Sequence, residues 1–325
     1  MRADVTSPTR RFAAALFMAA LLLGPGSERA AAKGPGMMAA PGGVAATGSP
    51  HRYYATDPRM AGAPTLIQRI DRRRGRIDRW WYLPGDYFVP AVAYDGSGGG
   101  LSADGSTLVL GRLKHEYPPR ETRFAVLDTE MRLRHPYRPR RERGERAIRR
   151  IDLPGAFSFH AISPDGSTAY LTEFVAPEES IAKFDVRRLD LETGELRPEP
   201  VPETGRRTRW MQGLPITRAA SRDGRWAYTL YDGNGGVPFL LALDTVEGET
   251  FWIDLPQLKE RHRLYLTEME PSEDGRRLVL SNSSAVQGEP SSPPRLFIDT
   301  RHFAVSYAAP AESDSVTPTC GWADR

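Results

Sequence analysis

Disulfide chemistry within this chain is excluded, because its 325 residues include a single cysteine, Cys320. The fold must therefore be stabilised by packing rather than by cross-links. A lone cysteine in an exported protein is a reactive thiol, a link to a second chain or a tolerated small residue. Of these three readings we favour the last.

The familiar catalytic and metal-binding signatures are also missing. The sequence has no Gly-x-Ser-x-Gly elbow, no His-Glu-x-x-His, no Asp-x-Asp-x-Asp calcium loop and no Cys/His metal spacing among its six histidines. Carboxylates are plentiful, but most fall at predicted turns. We therefore predict no catalytic residue, no metal ligand and no cofactor.

Lysine is scarce, since only four of the 44 basic residues are lysines and the net charge is just +3. With abundant Ala, Gly and Pro, this arginine bias is typical of a GC-rich coding background rather than of phosphate binding. Glutamates lie among the arginines and stacking aromatics are few, so we expect no nucleic-acid partner.

Long apolar runs are absent beyond the N-terminus. Residues 1–33 combine an arginine-containing start, an apolar stretch over 12–24 and the small-residue zone Ala30–Lys33. This pattern indicates a secretory signal peptide cleaved near Ala30–Lys33, with no membrane-spanning segment in the mature chain. We expect a secreted or extracytoplasmic protein.

Two further regions follow the signal peptide. Residues 34–51 are rich in Ala, Gly and Pro without periodicity, which predicts a flexible linker. Residues 52–325 contain no strong amphipathic helix, and we interpret them as one all-β domain.

The main positive feature is a repeated phrase, Ser-x-Asp-Gly, followed each time by a short apolar run. Its intervals of 61, 58 and 51 residues indicate a repeat architecture. Asp-Gly between apolar segments is a hairpin signal, so we interpret the aspartates as turn residues. The four copies are 102–105, 163–166, 221–224 and 272–275.

A second anchor, Asp-Thr or a looser copy of it, lies 21 to 25 residues after each first aspartate. Its aspartates are Asp128, Asp190, Asp244 and Asp299. Prolines that follow, at positions 154, 202, 256 and 310, form a third anchor.

Between the anchors, each unit has the pattern of four strands. Second strands that are apolar on both faces require cover on both sides, as in the radial stack of a β-propeller. We predict five blades, with 313–322 and 52–55 supplying the first and second strands of a shared blade. Six blades are the alternative.

On these anchors the sequence resembles the WD-type repeats of TolB-like and YVTN-like bacterial β-propellers, over roughly residues 64–310. Residues 210–231 are also similar to a segment of exported actinobacterial propellers. The resemblance implies a fold and a compartment but no activity. No Trp-Asp pair closes the third strands, and unit lengths vary.

First strands line the channel of a propeller, so polar residues there are candidate ligand-binding groups. His160 and Arg218 occupy equivalent positions three residues before the repeat serine, and Glu268 lies one position earlier in its unit. The plain alternative for His160 is a structural histidine.

The second candidate surface is the insertion 132–150, which contains nine arginines and is predicted to be a protruding loop between third and fourth strands. It could bind an anionic cell-envelope polymer or lipid surface, or simply be a solvated charged loop. The arginines that we single out are Arg138, Arg140, Arg141, Arg143 and Arg146.

These observations favour an exported, non-catalytic β-propeller that binds a protein or an anionic cell-envelope partner. One alternative is a lyase or hydrolase acting on a lactone or glycan, with His160 and Glu268 at the channel mouth. Another is a scaffold without a small-molecule ligand.

Overall fold

The structure is a computed structural model, and it describes residues 37–56, 64–112, 119–131, 148–175, 183–205, 210–258, 264–282 and 296–307. Across these ranges the chain is built from β-strands, with two short 3₁₀ turns at Gly233–Gly235 and Pro256–Leu258. The all-β prediction is confirmed. None of the helices in these ranges is long and apolar enough to cross a membrane.

Five mainly antiparallel sheets follow one another along the chain, and the strands in each are hydrogen-bonded to their neighbours. Sheet I consists of β2 (His51–Ala55), β3 (Thr65–Asp71) and β4 (Arg76–Leu83). Sheet II consists of β5 (Tyr87–Phe88), β7 (Thr107–Arg112), β8 (Glu121–Asp128) and β9 (Ile148–Pro154). A two-stranded sheet pairs β1 (Met38–Ala39) with β6 (Pro90–Ala91).

The remaining three sheets have four or five strands each. Sheet III consists of β10 (Phe157–Ile162), β11 (Thr168–Phe174), β12 (Lys183–Asp190), β13 (Leu196–Pro200) and β15 (Met211–Gln212). Sheet IV consists of β14 (Glu203–Thr204), β16 (Pro215–Ala220), β17 (Trp226–Tyr231), β18 (Phe239–Asp244) and β19 (Glu249–Asp254). Sheet V consists of β20 (Thr267–Pro271), β21 (Arg277–Asn282), β22 (Leu296–Asp299) and β23 (Val305–Tyr307).

The Ser-x-Asp-Gly phrases are turns between the first and second strands, as predicted. In each copy the serine hydroxyl donates to the aspartate at 2.5–2.7 Å, and the same carboxylate accepts the backbone N–H two residues later at 2.9–3.1 Å. The glycine has φ between 67° and 77°, which residues with a Cβ rarely adopt. These hydrogen bonds lower the pKa of Asp165, Asp223 and Asp274, and they also lower that of Asp104 against the opposing effect of burial.

The second anchor forms the turn between the third and fourth strands, and it is bonded to the first. In sheet IV, the Asp244 carboxylate accepts the N–H groups of residues 246 and 247, while the Thr245 hydroxyl donates to the Gly224 carbonyl at 3.0 Å. Thr129 and Thr300 donate in the same way to Gly105 and Gly275, at 2.5 and 2.8 Å. This contact explains why the two anchors keep a nearly constant separation.

Apolar side chains fill the space between consecutive sheets. One cluster joins sheets I and II, a second joins II and III, a third joins III and IV, and a fourth joins IV and V. The second strands of sheets II, III and IV contribute to two clusters each. In sheet II, Leu108 and Leu110 face sheet I, and Val109 faces sheet III. In the described part of the chain no such cluster joins sheet V to sheet I.

The stretch expected to be a flexible linker is packed against the sheets where the structure describes it. Met38–Ala39 pairs with Pro90–Ala91, Val44 is bridged to Tyr53, and Val44 is buried in the cluster between sheets I and II. A Cβ at Gly43 would overlap the Tyr53 carbonyl, so glycine here permits close backbone approach rather than mobility. We predicted that residues 313–322 would form the strand next to β2. At this bridge Val44 pairs with the edge of β2 instead, and residues 313–322 lie outside the described residues.

Candidate functional site

His160 lies on β10, at a position where the pairing with β11 shifts register between Phe159 and Ala161. Its side chain is buried, with a relative exposure of 2%, and its Nε2 atom has no hydrogen-bond partner among the described residues. Burial lowers the pKa of His160 to about 3, and the positive charge of Arg218 adds to this effect. The imidazole is therefore neutral near pH 7.

Arg218 lies on β16 and is brought to His160 by the packing of sheet IV against sheet III. Its guanidinium donates a short hydrogen bond to the His160 backbone carbonyl. Burial lowers the pKa of Arg218 to about 10, while Tyr231 and Asp95 oppose that shift. The charge is thus retained, and one guanidinium N–H is committed to a backbone carbonyl.

Glu268 lies on β20, opposite Ser281 in the register of sheet V, and its side chain is exposed. No hydrogen bond or ion pair joins it to His160 or Arg218 in the described structure. The three channel candidates are therefore divided into a contacting pair, His160 and Arg218, and a separate exposed carboxylate. An acid/base pair between His160 and Glu268 is not assembled here.

The arginines singled out at 138, 140, 141, 143 and 146 lie outside the described residues. Their insertion follows Met131, whose carbonyl accepts the indole N–H of Trp81 at 3.3 Å. Arg79 also donates to the Thr129 carbonyl. The start of the insertion is thus attached to β4 of the neighbouring sheet. Among the described residues, no cluster of His, Cys, Asp or Glu could hold a metal ion.

Sequence reasoning missed a cationic and aromatic surface on sheet I. Ile77, Trp80 and Tyr82 point outward from β4, with relative exposures of 48%, 42% and 54%. The turn that leads into β4 is Arg72–Arg74 with Gly75, and Arg76 begins the strand; all of these residues are exposed. We call these eight residues the β4 surface. The available sequence signal was the run Arg-Trp-Trp-Tyr beside four arginines.

A second exposed aromatic pair lies where the first strands begin. Tyr94 and Tyr265 contact each other edge to face, with ring centroids 5.4 Å apart, and the Tyr265 hydroxyl lies 3.3 Å from the Asp232 carboxylate. Backbone N–H groups of residues 94 and 95 donate to residues 215 and 216, so this loop of sheet II reaches sheet IV. Tyr94 is therefore held by backbone hydrogen bonds to β16, and Tyr265 by its contact with Asp232.

No protein-family model and no curated protein matches the chain. Similar solved structures include TolB from Acinetobacter baumannii, at 16% identity and TM-score 0.39, covering 79% of this chain and 52% of TolB. The Swd1 β-propeller domain from Myceliophteria thermophila is similar at 8% identity and TM-score 0.45, covering 85% and 72%. Prolyl oligopeptidase B from Galerina marginata is similar at 12% identity and TM-score 0.43, covering 79% and 32%.

These neighbours include β-propeller proteins at low identity, and TolB is among them, as the repeat phrases led us to expect. The chain spans about half the length of the Acinetobacter TolB. The group contains a protein named as a peptidase and proteins with no enzyme name, so it assigns no activity to this chain.

Proposed function

We propose that this chain is an exported, non-catalytic β-propeller that binds a protein or an anionic component of the cell envelope. The observation that supports it best is the contrast between two regions. His160 is buried, and the half-buried Arg218 donates to its backbone carbonyl, whereas arginines and aromatic rings are exposed on sheet I.

The five sheets would be the blades of a five-bladed ring. Four interfaces between consecutive sheets are filled by apolar clusters, and the Ser-x-Asp-Gly turns of sheets II to IV meet at one end. There the Asp104 N–H donates to the Pro164 carbonyl at 3.2 Å, and Gly224 packs against Ala103. Closure would bring sheet V against sheet I.

The burial of His160 favours binding over the lyase or hydrolase alternative. A general acid or base works best when its pKa lies near the working pH, and it must reach the substrate. His160 has a pKa of about 3 and is almost fully buried. Glu268 is exposed, but His160, its partner in the lyase or hydrolase alternative, is buried.

The proposal is tested by pull-down from cell-envelope extract with the mature chain. Replacing the five singled-out arginines of the insertion by glutamine should reduce salt-sensitive capture, because the charges that attract the partner are removed. The matched control replaces Glu142 and Glu145, in the same insertion, by glutamine. Unchanged capture by the arginine variant contradicts a role for the insertion, and absence of capture by the wild type contradicts the proposed function.

A further inference from the structure

The β4 surface differs in chemistry from the corresponding surfaces of sheets II and III. The outer strands β4, β9 and β13 each expose several side chains to water. On β9 the exposed positions include Arg150 and Asp152, and on β13 they include Arg197 and Glu199. On β4 the equivalent positions are Ile77, Trp80 and Tyr82.

The local geometry brings these three side chains to one face. Trp80 pairs with Gln68 and Tyr82 with Leu66, and cross-strand partners share a face. Asp78 is left out of the pairing between Arg79 and Ile77, which is a β-bulge. The bulge turns Ile77 to the same side as Trp80, so three large apolar side chains line the outward face.

Trp80 and Tyr82 differ from their neighbour Trp81 in the contacts that the described residues offer them. Trp81, on the opposite face, is fully buried, stacks with Tyr53 and donates to Met131. Within the described ranges Trp80 and Tyr82, in contrast, have no hydrogen bond and no aromatic contact. Exposed aromatic side chains without an internal role are typical of docking surfaces.

The adjoining turn supplies uncompensated positive charge. Among the described residues the only carboxylate that pairs with its four arginines is Asp71, which lies 3.3 Å from the Arg74 guanidinium and also accepts two backbone N–H groups of the turn. No ion pair is made by Arg72, Arg73 or Arg76 within the described part of the chain. The surface therefore combines free guanidinium groups with exposed Trp, Tyr and Ile.

We propose that the β4 surface docks the protein onto an anionic lipid membrane. Arginines bind the phosphate groups of anionic lipids, while Trp and Tyr favour the boundary between headgroups and acyl chains. A soluble polyanion would need the arginines but would gain little from exposed Ile77, Trp80 and Tyr82, which is why a lipid surface fits better. This inference rests on the proposed function and specifies its anionic partner.

The experiment is co-sedimentation of the mature chain with two kinds of vesicle, pure phosphatidylcholine and an equal mixture of phosphatidylcholine with phosphatidylglycerol. We expect binding to the mixed vesicles that weakens as salt is raised. Each arginine near an anionic surface contributes about 1 kcal/mol, so Arg72→Gln should weaken binding about fivefold, and the double variant with Arg73→Gln about 25-fold. The matched control is Arg197→Gln on β13, an exposed arginine of another outer strand, which removes the same charge and should leave binding nearly unchanged.

Trp80→Ser combined with Tyr82→Ser should also reduce vesicle binding without a loss of folded structure, because both rings are exposed. Binding equal to wild type in the arginine or the aromatic variants would overturn the proposal, as would wild-type binding to phosphatidylcholine alone. If the wild type is captured by envelope extract freed of lipid but not by vesicles, the lipid inference fails and the proposed function stands. A dimer that dissociates in the aromatic variant would instead assign the surface to a second copy, and would also overturn it.

Discussion

The buried His160 should lower the stability of the folded protein in mild acid, because burial lowers the pKa of its imidazole. The unfolded histidine has a pKa of 6.5, whereas the folded one has a pKa of about 3. As pH falls below 6.5 the unfolded state binds a proton that the native state does not, so stability is lost from about pH 6.5 towards pH 3. At pH 5 the free energy of unfolding is lower by about 2 kcal/mol. This loss is set by the unfolded-state pKa, because a native state with a pKa well below 5 binds almost no proton at pH 5.

The assay is chemical unfolding of the wild type and of His160→Leu at pH 7.5 and at pH 5. Leucine fits an environment in which Nε2 has no hydrogen-bond partner among the described residues, and it removes the titration. Wild type should lose about 2 kcal/mol more than the variant between the two pH values. Equal losses, or an imidazole resonance that titrates near pH 6.5 in the folded protein, would refute the assignment of a buried neutral histidine.

Two further predictions concern the repeat. Thr245→Val should cost about 1–2 kcal/mol in thermal or urea unfolding, because the buried Thr245 donates to the Gly224 and Arg225 carbonyls. Thr300→Val, where the corresponding hydrogen bond is exposed, should cost clearly less. Gly166→Ala should destabilise by more than the ~1 kcal/mol that positive φ alone costs, since its Cβ would overlap the Cβ of Thr107, which the backbone of β7 holds in place. Gly75→Ala is the control, with a similar φ and no atom within 4 Å of the added Cβ; equal costs for the two alanines would contradict the overlap.

The repeat phrases were predictable from sequence because their hydrogen bonds are local. Ser163 reaches Asp165 two residues away, and residue spacing alone indicates such a turn. The hydrogen bond from Thr245 to Gly224 was not predictable, although the regular interval hinted at a relation. It spans 21 residues and needs the register of β17 and β18.

The candidate site was only partly predictable for the same reason. Equivalent repeat positions suggested that His160 and Arg218 are neighbours, but sequence could not show that their contact uses a backbone carbonyl. On β4, Trp80 and Trp81 look alike in sequence, and only the pairing of the strand decides which is exposed. The stretch around Gly43 was predicted to be a flexible linker, whereas the structure packs it against β2. Composition could not separate the two, because glycine is common both in flexible linkers and where two backbones lie close together.

The turn between third and fourth strands shows where the fold leaves room for function. In sheets I, III and IV an aspartate begins it and a glycine four residues later closes it through an N–H donated back to the aspartate carbonyl, at 2.8–2.9 Å. The three residues between these positions are not needed for that closure: they are Leu-Glu-Thr in sheet III and Thr-Val-Glu in sheet IV. In sheet I they are all arginine, followed by Arg76 after the glycine. Like charges this close together repel one another and oppose folding slightly, and a bound anionic surface would offset that repulsion.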